Sequence, residues 1–317
     1  MLSADCVFPW GHSRRFNDYS SYIKQKFGGR VQKISIDVGL SCPNRDGTKG
    51  IGGCIYCDNS TFTPAYCNAS DSIEKQLKSG REFFSRKYPN MSYMAYFQSY
   101  TNTYAPIQQL RKSYMQAIDC GMVAIIIGTR PDCIDEELVQ MLAEINRIVP
   151  VVVEFGIEST SNNTLVEINR HHTWQDSLAS IELCDKYGIE TGGHLILGLP
   201  SETRETMLEH ASAVSATTLK TIKLHQLQVI EGTTLAHRYA NNPNYVTPFD
   251  MHNYVSFVVD FLELLNPEIV VERFVSVSPA SKVITPHWNR MKNFEVVALI
   301  DKELQRRNTW QGRLFNQ

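Results

Sequence analysis

Apolar positions along this chain gather in short runs, each followed by a stretch in which they recur every three to four residues. Val31–Val38 places Ile34, Ile36 and Val38 on one face. Ser92–Gln98, Val123–Gly128, Val151–Ile157, His194–Leu199 and Thr221–Val229 follow, several as continuous β-branched or leucine runs. Such runs mark strands buried on both faces. Between them, amphipathic spacing predicts helices over roughly 71–87, 106–119, 134–147, 175–187 and 203–216. Strand and helix alternating in this way predict right-handed βαβ units and a parallel sheet. Six units are counted from the sequence, too few for a complete eight-stranded barrel.

Residues 1–30 precede the first strand as an N-terminal extension, and residues 31–240 hold the six units. Residues 241–317 begin at the loop Asn241-Asn242-Pro243-Asn244. They continue with a helix near 248–265, a strand-like Ile269–Val277 and a helix near 292–307, read as a cap. No low-complexity segment or flexible linker interrupts the chain, so no independent second domain is expected.

The length of 317 residues and 43% hydrophobic content suit one large α/β unit. No apolar run reaches the length of a membrane-spanning helix, and Met1 to Trp10 lack the pattern of a signal peptide. No membrane association is expected. Eight cysteines in an unexported, cytoplasmic chain read as reduced thiols and metal ligands. The net charge of −2 is uneven: residues 1–50 and 282–317 each carry +4, and the middle carries −10. Basic ends on an acidic body suit contact with a phosphate backbone, although clustering on a solvated surface gives the same count.

Candidate chemistry concentrates in Ser41-Cys42-Pro43-Asn44-Arg45-Asp46-Gly47, a glycine-rich turn, and Cys54-Ile55-Tyr56-Cys57. The loop falls where parallel α/β folds place ligands, at the C-terminal end of a strand. A closed structural metal site takes four protein ligands, whereas three thiolates hold three corners of an iron–sulfur cube and leave one iron open. Gly50, Gly52 and Gly53 allow close backbone approach, with amides available to cluster sulfurs. Alternatives are a zinc site completed by Cys67 or His12, a Cys54/Cys57 dithiol pair, and ordinary core thiols. Cys6, Cys67, Cys120, Cys133 and Cys184 read as free thiols.

A triad ending in Cys-x-aromatic-Cys after a first strand resembles the radical S-adenosylmethionine (SAM) superfamily. The C-x11-C-x2-C spacing, with Asn44-Arg45-Asp46-Gly47 inside the longer gap, resembles the YhcC/YtqA family, relatives of the radical SAM domain of the Elongator catalytic subunit. The likeness runs from His12-Ser13-Arg14-Arg15-Phe16-Asn17 to Thr309-Trp310-Gln311-Gly312. It implies an α/β fold, an open six-stranded (β/α)6 partial TIM barrel with an α/β C-terminal cap.

The same resemblance implies a [4Fe–4S] cluster on Cys42, Cys54 and Cys57, with SAM on the open iron. Tyr56 is expected beside the adenine, Glu158 at the ribose hydroxyls and Arg170 at the SAM carboxylate, which a guanidinium fork fits. The strand-five motif His194–Thr203 is expected to cradle adenine through Ile196 and Gly198, with Ser201 capping the next helix and Glu202 in its first turn. Where relatives carry a glycine pair after the second strand, this chain has Gln98-Ser99-Tyr100-Thr101-Asn102-Thr103. The His171-His172 pair reads as loop histidines, one at most touching the site.

The implied chemistry is one-electron cleavage of SAM to methionine and a 5′-deoxyadenosyl radical, which removes a substrate hydrogen. Flavodoxin or ferredoxin is the implied electron donor. The Elongator kinship and the basic ends favour tRNA, at its wobble uridine, with Arg14, Arg15, Lys24, Lys26, Arg306 and Arg307 as phosphate contacts and Phe16 and Trp310 as stacking or cap-packing residues. A small metabolite is the alternative substrate, and a metal-stabilised RNA-binding module is the non-catalytic alternative.

Overall fold

A computed structural model describes residues 7–61, 63–86, 90–288 and 291–316, so Cys6 lies outside the described residues. Helix α1 (Tyr19–Phe27), capped by Asp18, precedes strand β1 (Val31–Ile36). The chain then alternates α2 (Ile73–Ser85), β2 (Ser92–Phe97), α3 (Ile107–Asp119), β3 (Ala124–Thr129), α4 (Glu136–Asn146) and β4 (Val151–Glu158). It continues with α5 (Asn162–Glu167), α6 (Trp174–Lys186), β5 (Glu190–Leu197), α7 (Arg204–Ser215) and β6 (Thr221–Gln226). The last part holds β7 (Val229–Ile230), α8 (Thr234–Asn241), α9 (Met251–Leu264), β8 (Val270–Arg273), β9 (Val283–Thr285) and α10 (Asn293–Arg306).

The main sheet runs β1-β2-β3-β4-β5-β6-β8 and every neighbouring pair is parallel. The open partial barrel expected from the sequence is present and carries a seventh strand, β8. The strand-like stretch read as part of the cap joins the sheet itself, because Val270 and Val271 pair with Thr221 and Ile222. β5 begins four residues earlier than the expected His194, where Thr191, Gly192 and Gly193 weaken the apolar signal.

Residues on alternate sides of each strand divide the labour. Phe97, Ile125, Ile127, Val153, Phe155, Ile157, Leu195, Leu197, Ile222 and Leu224 face outward into the main core beneath the helices. The inner face carries Tyr96, Glu154, His194 and Lys223. Helix α1 lies at the strands' starting end, where Ile23 joins Met94, Ala124 and Ile126 in a smaller cluster. The two edges of the sheet are tied across the interior by Lys33 of β1, whose Nζ lies 2.6 Å from Glu272 of β8.

The terminal segments are bound to each other. The Gln311 side chain accepts from the Asn17 amide and donates to the carbonyls of Asn266 and Ile269. The Gln311 amide donates to the Arg15 carbonyl at 2.9 Å. No helix of the described residues is long and apolar enough to cross a membrane.

Candidate functional site

A cavity of about 210 Å³ opens at the C-terminal ends of the strands. Its walls include Tyr96 and Gln98, Glu154 and Glu158, His194 and Ile196, and Lys223 and His225. Their period of two is that of inward-facing strand positions. Cys42, Cys54, Tyr56 and Cys57 complete the mouth, so the structure brings the three predicted thiols to one cavity. All three are free.

The long gap between Cys42 and Cys54 is a folded loop. The amides of Lys49 and Gly50 return to the Pro43 carbonyl, Gly53 donates to Asn44, and Asp46 bridges Ile51 antiparallel. The chain thus doubles back and delivers Cys54 beside the point from which it left. The amides of Gly50 and Gly53 are consumed in this folding and are not available to a cluster. Gly50 serves a close contact instead: a Cβ there would stand 2.2 Å from Asn44 Oδ1 and 2.7 Å from the His171 ring. The loop is clamped to the turn after α5. Asn44 Nδ2 donates to the Asn169 carbonyl at 2.6 Å and faces Cys54 Sγ at 3.5 Å, while Asn169 Nδ2 donates to the Gly53 carbonyl. Arg45 reaches the Cys57 carbonyl at 2.9 Å. Burial first, and then the neighbouring Cys54, push the Cys57 thiol up.

Glu158 ends β4 at φ 68°, a conformation in which a side chain other than glycine is strained. A register shift between Gly156 and Glu158 accompanies it. Such bulges re-aim a side chain, here into the cavity mouth. Gly156 leaves the room required, since a Cβ there would meet Glu158 Oε1 at 2.6 Å and Arg170 Nη2 at 2.7 Å. Arg170 is buried and held from four sides. It donates to His172 Nε2 at 3.0 Å, Cys54 Sγ at 3.5 Å and the Gly156 carbonyl at 2.5 Å, and pairs with Glu158 at 3.5 Å. Three of its five N–H groups donate in this way, one each on Nε, Nη1 and Nη2, and Glu158 meets it as an ion pair. Neither His171 nor His172 lines the cavity, and His172 contacts Arg170 from behind the wall. Burial, and then the Arg170 charge, hold it down to about 3, so it stays neutral and accepts from Arg170.

Arg130, His225 and the charged strand residues escape sequence reasoning, whereas Thr101 lies in the stretch after β2 already singled out. Arg130 is buried against Asp132 and the Arg170 carbonyl. Its Nη1, Thr101 Oγ1 and His225 Nε2 are buried without a partner among the described residues, and all three residues line the cavity. Buried polar atoms left this way are costly unless a ligand or water meets them. Beneath them Glu154 accepts from Lys33 at 2.8 Å, from Lys223 and from His194 at 3.1 Å. Lys223 also reaches Glu272 at 3.2 Å and Tyr96 at 3.2 Å. Although Glu154 is fully enclosed, which raises a carboxyl, Lys223 and Lys33 keep it well below its usual range. Burial lowers Lys223, while the two carboxylates keep Lys33 raised. The signal was a charged residue at alternate positions in otherwise apolar strands.

Ile196 lines the cavity, whereas Gly198 lies outside it, at φ 93°, with its amide directed to Met207 Sδ and its open side toward Phe249. Thr203, not Ser201, caps α7, and Ser201 adopts φ 67° in the turn before it. The Glu202 side chain is buried on Ser159 at 2.5 Å and His210 at 3.0 Å, tying α7 to the end of β4. Cys67 bonds to Gln76 and His12 pairs with Asp18, so neither zinc candidate lines the cavity. Among the described residues, no His, Cys, Asp or Glu set is arranged to hold a single metal ion.

The basic ends fold onto acidic partners. Arg14 pairs with Asp301 at 2.8 Å, Lys26 with Glu190 at 2.6 Å, Arg306 with Glu303 at 2.7 Å and Arg307 with Asp260 at 2.5 Å. Arg15 bonds to the Thr309 carbonyl and Asn308. Phe16 is buried edge-on to Phe274 at 5.0 Å, and Trp310 packs on Phe8 at 5.9 Å, so both serve packing.

Residues 42–214 match the radical SAM superfamily, and residues 219–306 match a radical SAM C-terminal domain. The chain is 34% identical to the uncharacterized protein YtqA of Bacillus subtilis (strain 168), over 97% of this chain and 95% of that protein. It is 31% identical over 117 residues to a tRNA uridine(34) acetyltransferase of Methanocaldococcus infernus, covering 36% of this chain and 21% of that protein. The solved structure of archaeal Elp3 from Methanocaldococcus infernus has the same fold, with TM-score 0.67 at 15% identity over 89% of this chain and 64% of that one. The chain belongs to the radical SAM superfamily and is a radical SAM enzyme.

Proposed function

We propose that this radical SAM enzyme acts on tRNA, with a [4Fe–4S] cluster on Cys42, Cys54 and Cys57, with SAM against Tyr56, Glu158, Arg170 and Ile196, and with Gly198 behind them in the turn after β5. The observation that carries the cofactor reading is the meeting of three free thiols, a strained Glu158 and a buried Arg170 at one cavity mouth. The residues fit both groups. The thiols do not gather around a single-ion site, a cationic side chain faces Cys54, and buried polar atoms of Arg130 and Thr101 stand unpartnered. When bound, the reduced cluster supplies the electron that cleaves SAM homolytically; flavodoxin or ferredoxin is the donor class in this cytoplasmic reading.

The chain's own groups bind and orient. The Glu158 carboxylate accepts hydrogen bonds from the ribose hydroxyls. Arg170 and Arg130 offset the negative charge that thiolates and a carboxylate bring to the mouth. Tyr56 and Ile196 supply apolar contact for adenine and exclude water. Gly198 stands behind this wall and acts through the turn that carries it.

The tRNA reading is supported by the partial likeness to a protein named for tRNA uridine(34) and by the fold shared with Elp3. A small-metabolite reading is favoured by a different observation: most cations proposed for phosphate contact are committed to acidic partners. Nucleoside mass spectrometry of tRNA from a deletion strain decides between them. A missing modified uridine supports tRNA; a normal profile overturns it and leaves the metabolite. Iron content near four per chain with SAM turnover tests the cofactor assignment separately.

A further inference from the structure

Beyond the thiols and the Glu158–Arg170 pair, the cavity continues toward the segment that follows β8. This region is built, not incidental. Gln226 donates from Nε2 to the Ser276 carbonyl at 3.1 Å and accepts the Ser276 amide at 2.8 Å. Two residues on, Ser278 donates to Gln228 Oε1 at 2.8 Å. Glutamine side chains thus stand in for a backbone ladder and hold residues 273–278 along the rim after regular pairing stops. Phe274 and Val275 are buried behind the rim, while Arg273, Ser276 and Ser278 line the cavity.

The charges beneath this rim balance except for one. Lys33 and Lys223 face Glu154 and Glu272, and each carboxylate touches both ammonium groups. Glu272 thereby spends its charge on the lysines. The next residue, Arg273, lines the open part of the cavity and forms no ion pair among the described residues. His225, also on the wall, keeps Nε2 buried and unpartnered. The β6–β8 register pairs Arg273 with Lys223, two residues before His225 on the same strand. The His225 pKa is held well below the ordinary value, first by burial and then by His194, Arg273 and Lys223. A guanidinium fork beside a neutral imidazole and amide and hydroxyl donors is a donor set for a planar or tetrahedral oxyanion.

We propose that Arg273, with His225, Gln228 and Ser276, forms a substrate subsite for an anionic oxygen group, a phosphate or a carboxylate. The subsite goes beyond the assignment of SAM and its cluster, and it holds whether the anion belongs to an RNA backbone or to a small molecule. It gives the substrate a fixed point of attachment in the same chamber as the SAM contacts.

The test uses the iron-reconstituted protein with SAM present and inorganic phosphate as the probe, followed by titration calorimetry and phosphorus NMR line broadening. Wild type binds phosphate saturably. Arg273→Gln weakens that binding about ten- to a hundredfold, the range expected for one charged hydrogen bond. Its iron content and SAM affinity match wild type. Arg273→Lys restores part of the affinity, and Lys78→Gln, on the exposed face of α2, leaves it unchanged. Equal phosphate affinity in wild type and Arg273→Gln, or no saturable binding in wild type, overturns the subsite. Two further probes find the source. Displacement of phosphate by a tRNA anticodon stem-loop, lost in Arg273→Gln, identifies the RNA backbone. Displacement by acetate or a phosphomonoester but not by the stem-loop identifies a small substrate, so that the tRNA reading fails while the subsite stands.

Discussion

The mouth of the cavity and its floor use opposite means to place polar groups. The mouth is made of loops. Cys42 to Cys57 fold back through their own backbone bonds, and Glu158, Asn169 and His171 sit at φ 68°, 57° and 57°. The floor is made of strands. Lys33, Glu154, Lys223 and Glu272 come from β1, β4, β6 and β8, all within strands, with one register shift where Lys223 of β6 meets β8. Loop placement lets one residue be aimed independently, at the cost of backbone strain. Strand placement fixes four charges at once, and each then depends on the other three. A mouth residue can therefore be replaced with a local loss, whereas a floor residue cannot.

The sharpest break in this comparison is at the thiols. Cys54→Ala is expected to abolish the cluster's visible absorption and SAM cleavage, because two remaining thiolates cannot hold three corners of a cube. The fold should survive, with an unfolding midpoint close to that of the protein stripped of iron. Retention of an intact, active cluster in Cys54→Ala would remove the assignment. Cys184→Ala, whose thiol is buried beneath α6, is expected to keep iron fully.

Floor substitutions should fail in the other way. Glu154→Gln leaves Lys33 and Lys223 sharing Glu272 alone, and breaking a buried network by removing one partner costs about 3–5 kcal/mol. The expected readout is a large drop in the chemical-denaturation midpoint of the apo protein, before any cofactor is added. A midpoint unchanged from wild type would mean that the quartet is better solvated than its burial implies, and the contrast between mouth and floor would collapse.

The two regions also differed in what could be read beforehand. The thiols, Tyr56, Glu158 and Arg170 lie in short motifs that carry the family resemblance, and it was this resemblance that implied their meeting at one site. Glu154 and Lys223 are separated by sixty-nine positions and acquire meaning only when β5 places them on one inner face. Period-two reading of Thr221–Gln226 would have shown Lys223 and His225 inward with Ile222 and Leu224 outward, yet nothing in the sequence says which cation meets which carboxylate. The stretch Ile269–Val277 read as strand-like, but its place in the main sheet was not legible for a related reason: Val270–Arg273 joins the sheet only by pairing with β6. The ion pairs of the basic ends were not legible either, because charge counted along a chain ignores the partner. Arg14 and Asp301 are remote in sequence and 2.8 Å apart in space.

A smaller effect separates holding SAM from holding iron within the mouth itself. Glu158→Ala and Arg170→Ala are each expected to retain iron while weakening SAM binding about ten- to a hundredfold, the loss of a charged hydrogen bond. Glu158→Ala has the cleaner outcome, since Arg170 also anchors the loop through Cys54 and the Gly156 carbonyl. Equilibrium SAM binding to the reconstituted variants checks this, and unchanged affinity in both would relocate the SAM pocket toward Arg130 and Thr101.

The smallest expected effect is a slope with pH, and it tests whether the mouth is as tightly held as its hydrogen bonds suggest. His172 is buried, accepts from Arg170 and donates from Nδ1 to the Thr173 carbonyl, so only its neutral form fits. Its pKa falls from 6.5 to about 3 on folding. Between those values the unfolded chain binds the extra proton and the folded one does not, so stability rises with pH across the window. The contribution is complete above pH about 6.5 and is lost progressively as pH falls toward 3. From pH 7.5 to 5.5 this one group is expected to remove on the order of 1 kcal/mol from the unfolding free energy. His172→Gln cannot take up the proton while still offering an acceptor to Arg170, so its denaturation midpoint should change less with pH over that interval. Parallel pH profiles for wild type and His172→Gln would show that the imidazole is already solvated in the folded state, and that Arg170 is held by Cys54, Glu158 and the Gly156 carbonyl alone.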